Sequence, residues 1–292
     1  MAWAKDRATL RIWVRIIATA CTAVLLGIVL LRQPPRSFEL FDQRFYFTVA
    51  HDLDRYGVFS NGVIDATDSS VELPPPGMFF GPLYPLLLTA VIRTDARFRA
   101  SVECAVASQH AHKPITECET YAKPVLYLHA LLLAIGILSV GLAAEMLLGG
   151  FRMFVLAVVI AVPAIAQEAF VLSFIMTESL RFCLLSVASL LALAALRGKS
   201  KRLYAACGFT LGLVILARPV FVVLVPLLAA LFFLVQRYAQ KTEAAKSVAR
   251  ILVFAAAVGI VLLPWLARNQ IVMGKFELTE EYGPRSYSSA WH

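Results

Sequence analysis

The chain has 292 residues, 60% of them hydrophobic and only 16% charged, with a mean hydropathy of +0.74. That excludes an ordinary soluble enzyme domain, which carries more charge and shorter apolar runs. The net charge of +8 does not indicate a nucleic-acid binder, because the basic stretches lack the interleaved aromatics of a base-stacking surface.

In chain order, the first apolar run is Leu10–Leu31. Its length matches the roughly 17–25 residues that cross a hydrocarbon core, and no small-residue cleavage site follows it. A retained anchor is therefore expected over a cleaved signal peptide. Pro34 and Pro35 break this helix, and Ser37 is a suitable N-cap for the next one. Phe38, Phe41, Phe45, Val49 and Leu53 then recur at helical spacing up to Gly57. This pattern predicts an amphipathic helix lying on the outer membrane surface, with Glu39, Asp42, Tyr46 and Asp52 on its other faces. Ser60–Pro76 reads as a polar loop. Gly81-Pro82-Leu83-Tyr84-Pro85 opens the apolar segment Leu86–Ile92, too short to cross and so juxtamembrane or re-entrant. Arg93–Lys123 is polar again.

Six further spans are predicted: Val125–Leu148, Met153–Phe174, Leu180–Leu196, Leu203–Ala217, Val220–Val235 and Ile251–Leu266. The expected fold is all-α: a polytopic transmembrane helical protein of about seven spans, with amphipathic juxtamembrane helices in a large first outside loop. Its divisions are 1–32, 33–124, 125–266 and 267–292. With the N-terminus in the cytoplasm, the inside segments hold thirteen Lys/Arg against Asp6 and Glu243. The loop Arg32–Pro124 holds nine Lys/Arg and eleven Asp/Glu. The positive-inside rule puts that loop outside, and the short connections fit a bacterial inner membrane.

Cys21, Cys183 and Cys207 lie in spans and read as small packing residues. Cys104 and Cys118 lie in the outside loop, where a disulfide is the first reading. The spacing Cys-x5-His-x-His-x5-Cys, through His110 and His112, leaves zinc ligation and free thiols as alternatives. No metal site is expected.

Asp42 stands among Phe41, Phe45, Tyr46 and Phe47, a setting that suits a carboxylate to general-base work. The plainer reading is a solvated carboxylate on a polar face. Glu168, Glu178, Arg218 and Arg268 fall at the outside ends of spans. They serve either as interface anchors or, converging with Asp42, as walls of an outward polar cavity in which two guanidiniums clamp a phosphate. Glu145 and Arg181 within spans read as structural pairing groups or snorkelling side chains. Walker, dinucleotide and Gly-x-Ser-x-Gly motifs are all missing, so no soluble nucleotide cofactor is expected.

Four stretches resemble the GT-C superfamily of membrane glycosyltransferases, of the protein O-mannosyltransferase and lipid A aminoarabinose transferase type. They are Asp42-x3-Tyr46-x3-Ala50-x2-Leu53-x3-Gly57; Pro82-Leu83-Tyr84-Pro85; Thr177-Glu178; and Gly212-Leu213 with Leu216-Ala217-Arg218-Pro219, followed by Pro264-Trp265-x2-Arg268-Asn269. The resemblance implies an inverting enzyme that takes a sugar from a polyprenyl-phosphate carrier at the outer face of the membrane. It places the base at Asp42, the phosphate-stabilising cations at Arg218 and Arg268, a donor-lining side chain at Tyr46, and Glu39 and Glu178 in support. The implied partners are membrane lipid, the lipid-linked donor and a glycan, lipid A or protein acceptor, with no nucleic acid. The chain departs from the family at Met78-Phe79-Phe80-Gly81, where relatives carry a lysine or an acid before Pro-Leu-Tyr. Relatives also continue past the seventh span, so the resemblance implies a C-terminally truncated member. Two other classes compete. One is a non-catalytic lipid-binding or assembly protein. The other is a transporter, disfavoured by the missing inverted repeat and the few mid-membrane charges.

Overall fold

The computed structural model describes residues 2–33, 42–62, 73–111, 117–198 and 200–280. Among these residues the only secondary structure is helical, apart from one isolated bridge between Ser60 and Pro76. Glu39, Ser37, His112 and Phe38–Phe41 lie outside the described residues.

Among the described residues, five helical segments are long and apolar enough to cross a membrane: Leu10–Leu31, Lys123–Leu148, Glu178–Gly198, Pro219–Ala239 and Ala244–Met273. The first belongs to α1 (Ala2–Leu31), the second is α5 and the third α8. Pro219–Ala239 is a composite. A 3-10 turn at Pro219–Val223 leads into α10 (Leu224–Leu234), and a π turn at Val235–Ala239 ends it. Pro219 starts this segment because a proline at the first helical turn forfeits no hydrogen bond. Two segments read from the sequence as spans form shorter helices. Met153–Phe174 becomes α6 (Phe151–Gln167), followed by the four-residue α7 (Ala169–Leu172). Leu203–Ala217 becomes α9 (Lys201–Ala217). Helices of 17 residues reach about 25 Å, the short end of the range that crosses a ~30 Å hydrocarbon core.

The bundle is built around α9. It packs between α8 and α11 (Ala244–Met273), and Tyr204, Cys207, Leu211, Val214 and Ile215 on it are wholly buried. Gly208 and Gly212 make the α9–α11 approach possible. A Cβ at Gly208 would sit 2.2 Å from the Phe254 carbonyl oxygen, and one at Gly212 would sit 2.7 Å from Val261 Cβ. Small residues four apart are the usual means by which membrane helices come close. On the other side, α5 packs against α1, α6 and α8. Near the far end of that packing Arg15 donates to Glu145 at 2.6 Å, so Glu145 is a structural pairing group.

The large loop folds into a helical cap. α2 (Gln43–Tyr56) starts after Asp42 and stops at Gly57, whose φ of 67° is the left-handed conformation glycine adopts without strain. α3 (Leu83–Thr94) occupies the short apolar segment. α4 (Ala96–His110) forms where the sequence reads as polar loop. Its N-cap is Asp95, whose carboxylate accepts from the Phe98 backbone N–H at 2.8 Å. Phe98, Val102, Ala105 and Val106 form its buried face. These residues and Phe47, Val49, Met78, Tyr84 and Leu88 make one core. α2 is consequently not a lone surface helix. Tyr46, Phe47, Ala50 and even Asp52 are buried, because α3 and α4 pack on faces that face solvent in the amphipathic reading. Cys104 of α4 and Cys118 are joined in a disulfide, with Cα atoms 5.9 Å apart. That bond removes both thiols as metal ligands.

Candidate functional site

The motif residues of α2 share a helical face. At 100° per residue, Asp42, Tyr46, Ala50, Leu53 and Gly57 fall within one stripe. The two ends of this stripe meet different surroundings.

At the Asp42 end, α2 meets the start of α8. The Gln43 side-chain oxygen is buried and accepts from the Ile175 backbone N–H at 2.8 Å. Two residues on, Thr177 Oγ1 accepts from Arg218 Nε at 3.0 Å, and Glu178 Oε1 accepts from Arg218 Nη2 at 3.0 Å. Both charges suit their helices. Glu178 opens α8, where the dipole is positive, and Arg218 ends α9, where it is negative. The second carboxylate oxygen of Glu178 is buried and has no hydrogen-bond partner among the described residues. Asp42 itself is exposed and makes no capping hydrogen bond through its side chain.

Behind these charges lies an aromatic wall. Tyr46 meets Tyr84 edge-on with ring centres 5.2 Å apart, and Phe80 at 4.8 Å. The Tyr84 hydroxyl is 2.9 Å from His129 Nε2, and the other His129 nitrogen is 3.1 Å from the Leu172 carbonyl oxygen. Because Nδ1–H donates to that carbonyl, Nε2 is the acceptor for the tyrosine proton. Burial raises the Tyr84 phenol well above its ordinary range, and Tyr46 and Glu178 push it further up. Tyr84 therefore stays neutral, a fixed hydrogen-bond donor. Gly81 seats this segment: a Cβ there would lie 2.3 Å from the Leu216 carbonyl oxygen, so only glycine lets Phe80–Tyr84 lie against the end of α9.

At the Gly57 end the stripe lines a cavity of about 650 Å³. Its walls are apolar, including Leu53, Leu86, Leu216, Val261 and Trp265, and its one charged lining residue is Arg268. That guanidinium donates to the Gly77 carbonyl at 2.6 Å and to the Phe59 carbonyl at 2.9 Å. It also stacks over Trp265, 5.0 Å from the ring centre. Arg268 lies inside α11, not beyond it, because Pro264 is accommodated within the helix and Gly274 ends it.

The structure thus brings Tyr46, Glu178 and Arg218 together at one end of the stripe, with Asp42 one residue from Gln43. Asp42, Tyr46, Glu178 and Arg218 do not line the Arg268 cavity. The single outward cavity expected from the sequence resolves into two places, because 11 residues of helix separate Asp42 from Leu53, roughly 16 Å. Tyr84, Thr177 and His129 join the site without having been singled out as site residues. Tyr84 and Thr177 lie inside the quoted motifs, whereas nothing local marks His129. Among the described residues no group of three or more His, Cys, Asp or Glu is placed to hold a metal.

No protein-family model matches the chain, and no curated protein or solved structure matches it. What fold and site define is a class: among the described residues, an all-helical membrane protein with five helices fit to cross, and a helical cap over one end of the bundle.

Proposed function

We propose that the chain is a membrane glycosyltransferase of the GT-C type, moving a sugar from a polyprenyl-phosphate donor to an acceptor hydroxyl with inversion. One observation carries the reading: the stretches that resemble the family, far apart in sequence, touch one another at one end of the bundle. Arg218 holds Thr177 and Glu178, Tyr46 packs on Tyr84, and Leu53, Gly57, Pro82, Leu216, Trp265 and Arg268 line one cavity.

In this reading α1, α5, α6 with α7, α8, α9, the 219–239 segment and α11 cross in alternation, seven crossings in all. The N-terminus is cytoplasmic, and the cap faces the periplasm of a bacterial inner membrane. The apolar cavity takes part of the prenyl chain. Arg218 stabilises the phosphate that leaves, and Arg268 stands in the wall of the prenyl cavity. Asp42 removes the acceptor proton as the hydroxyl oxygen attacks the anomeric carbon, and Tyr46 and Glu178 border the sugar. The donor arrives already activated, so no nucleotide is needed.

Mass spectrometry of lipid that copurifies with the chain tests the donor assignment, the expected species being a polyprenyl phosphate with or without its sugar. Asp42→Asn should lower transfer by about 10²–10⁴-fold, the usual worth of a general base, with expression and insertion unchanged. Full activity in that variant would remove Asp42 as the base.

A second reading, a non-catalytic lipid-binding membrane protein, is favoured by two specifics. Asp42 is exposed and away from the cavity, and Arg268 spends donors on backbone carbonyls. It predicts copurifying lipid with no transfer in any variant.

A further inference from the structure

A second cavity of about 280 Å³ opens on the opposite face of α2, between α2, α3 and α4. Its lining is His51, Asp54, Arg55, Ile92, Arg99, Val102 and Glu103. His51, Asp54 and Arg55 are spaced i, i+3, i+4 and share a face, whereas Leu53 and Gly57 point to the Arg268 cavity. The helix is the wall between the two.

This cavity is built differently from its neighbour. Its floor is Ile92 and Val102, both buried, and its rim is charged. Asp54 is neutralised from outside by Arg93 at 2.7 Å. That leaves two guanidiniums, Arg55 and Arg99, against the single carboxylate of Glu103. Arg99 is held in place by its Nε and Nη2, which donate to the carbonyls of Ile92 and Arg93 at 3.1 and 3.3 Å. Neither Arg55 nor Glu103 forms an ion pair among the described residues.

His51 is also held in position. Its Nδ1 is 3.3 Å from Asp52 Oδ1, and Asp52 is a buried carboxylate whose other oxygen accepts from Ser60 Oγ at 2.5 Å. Ser60 in turn accepts from the Gly62 backbone N–H at 3.1 Å. A carboxylate only accepts, so Nδ1 carries a proton and the Nε2 edge is left to hydrogen-bond a ligand. A fixed imidazole edge, an excess of guanidinium and an apolar floor fit one kind of molecule. It carries an anionic oxygen group, hydroxyls and a ring with an apolar face.

We propose that this cavity binds the hydroxylated, anionic part of a water-borne molecule, with the chemistry of a sugar phosphate or a sugar acid. Arg55 and Arg99 face the anion, and His51 hydrogen-bonds a hydroxyl. The proposal concerns binding alone and does not rest on the glycosyl-transfer reading.

The test is calorimetric titration of the purified full chain in detergent with glucose 1-phosphate, glucuronate, inorganic phosphate and glucose. Saturable binding of glucose 1-phosphate or glucuronate is expected, the stronger of the two naming the anion, with glucose at least about tenfold weaker. Arg55→Gln, at an exposed position, should weaken binding about fivefold, and Glu103→Gln should tighten it two- to threefold, roughly the effect of one partly screened charge in each direction. Retained binding by Arg268→Gln would separate this site from the cavity across α2. No saturable binding of either sugar anion, or equal affinity in wild type and Arg55→Gln, would overturn the proposal. Inorganic phosphate binding as tightly as glucose 1-phosphate would remove the sugar contacts from it.

Discussion

The two ends of the helical bundle are held together in different ways. At the capped end the motif charges are fixed by partners distant in sequence. Arg218 reaches Glu178 across 40 residues, and Arg268 reaches Gly77 and Phe59 across 191 and 209. At the other end the connections are short turns, and Arg152, Arg202 and Arg237 stand exposed. The long-range ties there are Arg15 to Glu145, between α1 and α5, and Gln240 to the Leu196 carbonyl at the end of α8. Polar groups tied over long range enclose and shape space, which is how a binding site is made rigid. Exposed cations near helix ends instead meet whatever lies outside, and anionic headgroups are their natural counter-charge. In the proposed reading, specificity belongs to the capped end and membrane attraction to the other.

The strongest attempt to break this contrast is Arg218→Met. It leaves the half-buried Glu178 without its cation, with its second oxygen already unpartnered. A stability loss of about 3 kcal/mol is expected, measured by reversible unfolding in mixed micelles. Adding Glu178→Met should return much of it, because the pair gains less from mutual attraction than either charge loses alone. Stability restored without transfer would separate scaffolding from chemistry. Arg268→Ala comes next. It removes the grip on the Phe59 and Gly77 carbonyls and the stacking on Trp265, for a loss of about 2 kcal/mol. The copurified lipid should fall in the same variant, since the cavity loses its lining cation.

Much of the capped end is legible in the sequence for local reasons. Gly57 stops α2 because a left-handed residue is needed there, and the spacing of Asp42, Tyr46, Ala50, Leu53 and Gly57 already defines one helical face. The spans at α1, α5 and α8 are legible because a bilayer demands long apolar runs. α4 was missed although Asp95 is a good N-cap and Phe98, Val102 and Ala105 have helical spacing. Arg97, Arg99 and Glu103, set between those apolar residues, make the stretch read as loop. Arg268 falls beyond the predicted span because the apolar run stops at Leu266, whereas the helix continues through polar residues to Met273. The convergence of Asp42 with Arg268 was not a matter of local pattern at all. Both were assigned to one side of the membrane, and sidedness does not fix distance along that surface. His129 has no sequence signal, because its role arises from Tyr84 and Leu172, 45 and 43 residues away.

The uncapped end should yield smaller effects. Glu145→Gln keeps the shape of the side chain and weakens one partly exposed ion pair with Arg15, so a loss of about 1 kcal/mol is expected with lipid retention unchanged. Replacing Arg202, exposed at the start of α9, should change stability by less than about 0.5 kcal/mol, the usual range for such surface positions. Its use is to test sidedness. In a Cys21→Ser background, Arg202→Cys should resist a membrane-impermeant thiol reagent applied to intact cells, and Arg55→Cys on the cap should react with it. Opening the membrane should expose the first and leave the second unchanged. If both positions react in intact cells, the basic end and the cap share a compartment. The exposed arginines then have no inner-leaflet charge to answer, and the division of labour between the two ends fails.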